Sequence, residues 1–194
     1  MKIGVDLEDV VFEFTKEILK LVREVHDKSF EFEEVNNYSF HELFELDPLE
    51  ISEVVKSVDM ANLNLIPGAK DFVLKLSKKH EIYFITSRVF REGTKESLEK
   101  NFSGLAYGLF FSSNPYIGTE GKDKGEICKE LGIDFMIEDS TKHAKICADK
   151  GTKTFLIDKP WNQKLEKHPN IFNVKGFEEI LKLIENLEEI KNVS

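Results

Sequence analysis

Three acidic residues directly follow a short apolar segment at the start of the chain. In the opening stretch MKIGV, Ile3 and Val5 alternate with smaller or polar residues, and Asp6, Glu8 and Asp9 come next. The alternation predicts a short buried strand that delivers carboxylates to its C-terminal end. Crowded carboxylates raise one another's pKa unless a cation lies among them. Since open α/β sheets bind ligands at the carboxyl ends of their strands, we predict a metal-dependent site around Asp6.

Polar side chains also occur where later predicted strands end. One predicted strand is followed by Thr86, and a later one by Glu138 and Asp139. Between them, Lys124 begins a predicted helix. The carboxyl ends of parallel strands lie along one edge of a sheet, so residues distant in sequence converge there. Acidic groups hold a divalent cation, a hydroxyl and an ammonium bind phosphoryl oxygens, and a carboxylate can attack phosphorus. The set is therefore suited to holding a phosphoryl group.

The elements that position these residues alternate along the chain. Predicted helices span residues 10–25, 48–58, 69–79, 92–102, 124–131, 141–150 and 177–190. After the first strand, predicted strands span residues 81–85, 107–111, 135–137, 153–157 and 171–174. This alternation predicts an α/β fold with a parallel sheet and helices on both faces. Residues 12–65 carry no strand pattern, so we predict a small helical cap there and a core of residues 1–11 and 66–194.

Length, charge and cysteine content restrict the class of protein. The chain has 194 residues and a formal net charge of −9. This length fits one domain, or one domain with a smaller insert, and the acidity argues against nucleic-acid polymers and membranes as partners. Cys128 and Cys147 lack metal-ligand spacing and are interpreted as reduced thiols. With no signal-peptide pattern and no apolar run of about 20 residues, we expect a cytoplasmic protein.

Four motifs in this order resemble a known family. They are VDLEDV around Asp6, FITSR from Phe84, KGEICKELGID from Lys124 and MIEDS from Met136, with LIDKPWN from Leu156 as a fifth stretch. Together they resemble the haloacid dehalogenase (HAD) superfamily of phosphatases, in particular its nucleotidases related to 5′(3′)-deoxyribonucleotidase. The resemblance covers nearly the whole chain. It implies a HAD-like sheet with a small helical cap and a magnesium-dependent hydrolase of small phosphomonoesters, with nucleoside monophosphates as the leading substrates.

The resemblance also implies roles for individual residues. Asp6 is the expected nucleophile that forms an aspartyl-phosphate, and Lys124 is expected to neutralise the phosphoryl group and orient Asp6. Glu8 is the expected acid and base. Thr86, Ser87 and Arg88 are expected to contact the substrate together with Lys124. The expected Mg²⁺ ligands are Asp6, Glu138, Asp139 and the backbone carbonyl at Glu8.

Position 8 departs from the family pattern. The phosphatases of the family carry Asp there, whereas this chain has Glu8, which is one methylene longer. A shift of about 1 Å in a catalytic group can lower a rate about 10²-fold. Glu8 can perform the role from a shifted backbone, or Asp9 can replace it. The alternative function is a phosphate- or nucleotide-binding protein with little turnover.

Several residues have structural interpretations beside the functional ones. Ser87 is a candidate N-cap, and Arg88 is a candidate for a surface ion pair. Trp161 and Asn162 lie at the edge of the active site or pack in the core. All five histidines are interpreted as structural or exposed. The aromatic residues of the cap form either a base-stacking pocket or, as we favour, the core of the cap: Phe12, Phe30, Tyr38, Phe40 and Phe44. The sequence leaves the oligomeric state open, a homodimer included.

Overall fold

One parallel sheet forms the centre of the protein. The computed structural model describes residues 1–37, 39–164 and 167–193. Within these residues the six strands are β1 (Lys2–Val5), β2 (Glu81–Thr86), β3 (Tyr107–Phe111), β4 (Phe135–Glu138), β5 (Lys153–Ile157) and β6 (Ile171–Val174). They are all parallel, in the order β3-β2-β1-β4-β5-β6. The predicted α/β class is confirmed, and the predicted bounds of β2 to β6 agree within one residue.

Helices connect the strands. They are α1 (Phe14–His26), α2 (Phe40–Phe44), α3 (Pro48–Ser57), α4 (Ala69–Ser77), α5 (Thr94–Asn101), α6 (Lys124–Leu131), α7 (Thr141–Asp149) and α8 (Phe177–Val193). Short 3₁₀ turns occur at Phe32–Glu34, Met60–Asn62 and Pro160–Asn162. Among the described residues, no helix combines the length and the apolar character that a membrane span requires.

The prediction that the first helix begins at residue 10 is wrong. The amides of Val11 and Phe12 both donate to the carbonyl of Leu7, which closes a turn, and α1 starts only at Phe14. Phe12 also forms isolated bridges to Glu8 and Leu65. The apolar side chains of the turn are fully buried. The apolar spacing at residues 10–12 therefore comes from a buried turn, although it resembles the spacing of a helix.

The hydrophobic core lies on both faces of the sheet because successive strand residues point in opposite directions. Val5, Phe84 and Ile137 belong to a large cluster that also takes in residues of α1, α4 and α8. Ile85 and Met136 belong to a second cluster with residues of α6 and α7. Both cysteines, Cys128 and Cys147, are free and buried in or beside this second cluster. The sheet is thus covered by helices on both sides.

The predicted cap aromatics contribute to the large cluster. Phe12, Phe40 and Phe44 are buried there, and Phe30 packs against it, with its ring centroid 5.0 Å from that of Phe44. This agrees with the interpretation as core residues, although Phe40 also lines a cavity described below. Tyr38 lies outside the described residues.

The sheet order creates a crevice beside β1. The chain runs from β1 to β2 and β3 on one side, and then crosses over through α6 to β4 on the other side of β1. Val5 is paired with Phe84 on β2 and with Ile137 on β4, so the three strands end at the same level. This reversal of direction is the switch point at which α/β sheets bind ligands.

The crossover depends on close contact between α6 and α7. Gly125 follows Lys124 in α6, and a Cβ atom at this glycine would lie 2.4 Å from the carbonyl oxygen of Ile146 in α7. This distance is too short for any side chain, and backbone cannot move aside as a flexible side chain can.

We expect Gly125→Ala to lower the free energy of unfolding by about 1–2 kcal/mol, because overpacking outweighs the gain in helix propensity. Urea unfolding followed by circular dichroism measures this change. Lys129→Ala, at an exposed position of the same helix, is the matched control and should change stability by no more than about 0.5 kcal/mol. Equal stability of Gly125→Ala and wild type would contradict the tight contact.

Candidate active site

A buried lysine joins the ends of two neighbouring strands. Lys124 is the first residue of α6 and is 0% exposed. Its Nζ lies 2.8 Å from Oδ1 of Asp6, after β1, and 2.5 Å from Oε1 of Glu138, the last residue of β4. Burial lowers the pKa of Lys124, but attraction to the two carboxylates outweighs it, so the pKa lies above its ordinary value. The attraction to the two carboxylates therefore favours the charged form of Lys124.

Asp6 is held by its backbone and by Lys124. Its amide donates to the carbonyl of Ile137 at 3.0 Å, and its Oδ1 accepts the Leu7 amide at 2.8 Å. Oδ2 accepts no hydrogen bond from any residue that the structure describes. Burial and repulsion from Glu138 raise the pKa of Asp6 well above its usual range, although Lys124 opposes the shift.

Glu138 and Asp139 have different environments. Oε2 of Glu138 accepts the amides of Asp139 and Ser140, at 2.7 and 2.8 Å, while Oε1 binds Lys124. Burial raises the pKa of Glu138, but attraction to Lys124 outweighs this, and the pKa lies below its ordinary value. Burial and repulsion from Asp9 raise the pKa of Asp139 well above its usual range. The two adjacent carboxyls thus differ sharply in their tendency to ionise.

Trp161 and Asn162, in the segment after β5, form hydrogen bonds to Asp139. The indole Nε1–H of Trp161 donates to Oδ2 of Asp139 at 3.0 Å. The side-chain amide of Asn162 donates to the carbonyls of Asp139 and Ile157, at 2.8 and 2.7 Å. Both side chains are buried. The two side chains therefore pack in the interior and also contact the acidic cluster, and their place at the edge of an active site stays a prediction.

Oxygen atoms of the acidic residues can reach one point. One carboxylate oxygen each from Asp6, Glu138 and Asp139 lies within 4.8 Å of the others. Three buried carboxylates with all-oxygen donors match the preference of Mg²⁺, and a divalent cation would relieve the repulsion that raises the pKa of Asp6 and Asp139. The donor set therefore fits the predicted metal.

Glu8 contacts the predicted substrate-binding segment. Thr86 donates its hydroxyl to Oε2 of Glu8 at 2.6 Å, and the guanidinium of Arg88 lies 3.8 Å from Oε1. Arg88 is 6% exposed. The expectation of a surface ion pair for Arg88 is therefore wrong, since the pair is in the interior.

The contacts of Asp9 differ from those of Glu8. Its carboxylate accepts the amide and the hydroxyl of Thr15, the latter at 2.6 Å, in the first turn of α1. Its φ of 55° is the left-handed conformation, which Asp tolerates better than most residues. Burial raises the pKa of Asp9 to about 6. Asp9 thus stabilises the start of a helix, and the alternative of Asp9 as the acid and base is not supported by its contacts.

Ser87 pairs with a histidine that sequence reasoning missed. Ser87 is not an N-cap, because α5 begins seven residues later, at Thr94, after Gly93. Instead its hydroxyl lies 3.0 Å from Nε2 of His143, which is buried in the first turn of α7. The signal was available: Ser140 follows the acidic pair as an N-cap, and the first turn of the next helix faces the crevice.

A cavity of about 300 Å³ opens above these residues. Its polar lining comes from the sheet edge and from α7, and includes Asp6, Glu8, Ser87, Arg88, Asp139 and His143. Its apolar lining comes mainly from α1 to α3 and the loop after β2, and includes Phe14, Phe40, Ile51, Val55, Val89 and Phe90. Tyr116 and Asn114, after β3, also line it and were not predicted. A ligand here would meet both polar and apolar side chains.

Sequence comparison finds a relative of the chain among known proteins. No protein-family model matches the chain. A protein of Oceanobacillus iheyensis named "Putative nucleotidase OB0422" is 24% identical over 187 residues, which cover 91% of this chain and 97% of that protein.

Two solved structures illustrate the likeness. The haloacid dehalogenase-like family hydrolase SP0104 of Streptococcus pneumoniae aligns over 94% of this chain and 97% of its own, with 15% identity and a TM-score of 0.66. The HAD-hydrolase YfnB of Bacillus subtilis, solved with bound magnesium, aligns over 95% and 98%, with 15% identity and a TM-score of 0.56. The chain therefore has the HAD-like fold, and the predicted resemblance is confirmed at the level of the fold.

The buried imidazole gives a prediction on stability and pH. Burial and the nearby Lys124 lower the pKa of His143 to about 3. Between about pH 6.5 and pH 3 the unfolded chain binds a proton at this residue and the folded chain does not, so stability falls as the pH falls.

We expect the stability advantage of wild type over His143→Gln to shrink by about 2 kcal/mol from pH 7.5 to pH 5, because glutamine carries no titrating group. Urea unfolding in EDTA at both pH values measures the difference. His41→Gln, at an exposed position, serves as the control and should show no such trend. An unchanged advantage of wild type would mean that folding does not lower the pKa of His143.

Proposed function

We propose that the protein is a magnesium-dependent phosphomonoester hydrolase that acts through an aspartyl-phosphate on Asp6. The observation that carries the proposal is the position of Lys124 between Asp6 and Glu138, directly behind Asp6, which lines the cavity. This arrangement offers a charged ammonium, a carboxylate oxygen without a hydrogen-bond partner among the described residues, and an acidic cluster. The HAD-like hydrolase fold and the 24% identical relative support it.

The proposed metal ligands are Asp6, Glu138, Asp139 and the carbonyl oxygen of Glu8. A bound Mg²⁺ supplies charge neutralisation at the phosphoryl oxygens. Trp161 and Asn162 would hold Asp139 in a fixed orientation for this purpose, as outer partners of metal ligands do. Lys124 would oppose the rise in the pKa of Asp6 together with the metal and add a second positive charge.

The proposed reaction has two steps. A carboxylate oxygen of Asp6 attacks phosphorus, the bond from phosphorus to the leaving oxygen breaks, and Glu8 gives its proton to that oxygen. A water molecule then attacks the phosphorus of the aspartyl-phosphate and passes a proton to Glu8. This step releases inorganic phosphate and restores the carboxylate of Asp6. Thr86, Ser87 and Lys124 are the proposed contacts of the substrate, whereas Arg88, which was predicted with them, lies beside Glu8.

The proposed substrates are small phosphomonoesters, with nucleoside monophosphates first. The name of the relative from Oceanobacillus iheyensis supports a nucleotide. The cavity supports a leaving group with an apolar part, because Phe14 and Phe40 are among its lining residues. In this proposal residues 12–65 act as the cap that covers the site, and residues 1–11 and 66–194 as the catalytic core. The cytoplasmic location and a homodimer stay predictions.

We expect Asp6→Asn to lower hydrolysis of p-nitrophenyl phosphate by about a thousandfold or more, because an amide cannot form the aspartyl-phosphate. Phosphate release in Mg²⁺, and again in EDTA, measures the loss and the metal dependence. Asp158→Asn is the matched control, since Asp158 follows β5 at the same edge but is exposed. Substantial Mg²⁺-dependent hydrolysis by folded Asp6→Asn would refute the proposal.

A nucleotide-binding protein with little turnover is the second candidate. One oxygen of Glu8 accepts the hydroxyl of Thr86 and the other lies 3.8 Å from Arg88, so both oxygens already have neighbours other than a substrate. The two candidates make opposite predictions for Glu8→Asp. For an enzyme we expect kcat to fall about 10- to 100-fold, because the shorter side chain withdraws by about 1 Å. Steady-state hydrolysis, with nucleotide binding by calorimetry, tests this. An inert wild type that binds nucleotide and gains activity in Glu8→Asp would favour the binding protein.

A further inference from the structure

The guanidinium of Arg88 is enclosed in the wall of the cavity. Its Nη2 donates to the carbonyl oxygen of Val58 at 3.5 Å, and its Cζ lies 5.4 Å from the ring centroid of Phe14. Nε and Nη1 are buried and have no hydrogen-bond partner among the described residues. A guanidinium stays charged in proteins, so it needs a nearby anion when it is removed from water.

Glu8 supplies that anion. Within the described ranges it is the one carboxylate whose oxygen lies within 4.0 Å of Arg88, at 3.8 Å from Nη1. Oε1 of Glu8 is itself buried and has no hydrogen-bond partner in the same part of the chain. The distance is longer than a direct hydrogen bond but short enough for strong attraction in a site of low water content. The attraction therefore limits the positions that the carboxylate of Glu8 can adopt, although no hydrogen bond joins it to Arg88.

Thr86 holds the other oxygen of Glu8 from the same segment. The Thr86 hydroxyl donates to Oε2, and the same oxygen of Thr86 accepts the Arg88 amide at 3.0 Å. A hydroxyl has a single hydrogen, so the bond from the Arg88 amide fixes its direction toward Glu8. The two oxygens of Glu8 are thus contacted by Thr86 and Arg88, which are two residues apart in the sequence.

We propose that Arg88 is a positioning residue that sets the orientation of the Glu8 carboxylate. A glutamate has one more rotatable bond than an aspartate, so its carboxylate reaches a productive position only if the surroundings restrict it. Arg88 provides this restriction at Oε1 while Thr86 provides it at Oε2. The inference rests on the proposed function, in which Glu8 is a carboxylate between its two proton transfers, and Arg88 pairs with that form. It assigns Arg88 to Glu8 rather than to the phosphoryl group.

Kinetics distinguish positioning from substrate binding. With p-nitrophenyl phosphate and Mg²⁺, we expect Arg88→Met to lower kcat about 10- to 100-fold and to change KM by less than about threefold. Arg88→Lys should recover part of kcat, because it keeps a positive charge near Oε1. Arg91→Met, an exposed arginine in the same loop, should behave as wild type. A raised KM with kcat unchanged would overturn the proposal in favour of a substrate contact.

A double-mutant cycle isolates the action through Glu8. In a Glu8→Gln background, Arg88→Met should have no further effect on kcat. An equal fold-loss in both backgrounds would mean that Arg88 acts independently of Glu8 and would overturn the proposal.

An unfolding cycle tests the pairing without activity. We expect Glu8→Gln to lower the urea midpoint because it leaves a buried cation unpaired, and we expect Arg88→Met to raise the midpoint again in that background. Equal destabilisation by Arg88→Met in both backgrounds would overturn the pairing. A wild-type protein that hydrolyses no phosphomonoester would refute the proposed function, and this unfolding cycle would still decide whether Arg88 and Glu8 are coupled.

Discussion

The buried ammonium of Lys124 is the interaction on which the site depends. Burying a charged lysine away from water costs much free energy unless carboxylates lie next to it. Asp6 and Glu138 provide these carboxylates at the ends of two adjacent strands. The ion pairs therefore constrain the end of β1, the end of β4 and the start of α6 relative to one another. Gly125, the next residue, allows α6 to lie against α7 at the distance that this geometry requires.

The same cluster contains more negative than positive charge. Lys124 neutralises Glu138 well enough to lower its pKa, yet Asp6 and Asp139 have pKa values well above their usual range. An arrangement of this kind is unfavourable for the folded protein by itself and favours binding of a cation. Trp161 keeps Asp139 in place in spite of the repulsion. The repulsion among these acidic groups thus lowers the stability of the folded protein at this edge of the sheet.

The side of the cavity away from the sheet has a different character. There α1 to α3 present apolar residues, and Val58, just after α3, contacts Arg88 through its carbonyl. Arg88 in turn lies beside Glu8, so the helical region and the acidic edge meet at one ion pair. Solved structures with only 15% identity share the fold. Sequences that differ this much can therefore form the same sheet and helices.

The sequence by itself determined the alternation of helices and strands, because period-two and helical patterns are local properties of the chain. It also indicated that Asp6, Thr86, Lys124, Glu138 and Asp139 meet, since all of them follow strands or begin helices. It did not determine the turn before α1, where buried Val11 and Phe12 imitate a helix. Tertiary structure alone decided that Ser87 contacts His143, that Asp9 caps α1, and that Arg88 is paired inside the protein. Those partners are distant in the chain or depend on side-chain direction, which spacing in a sequence does not specify.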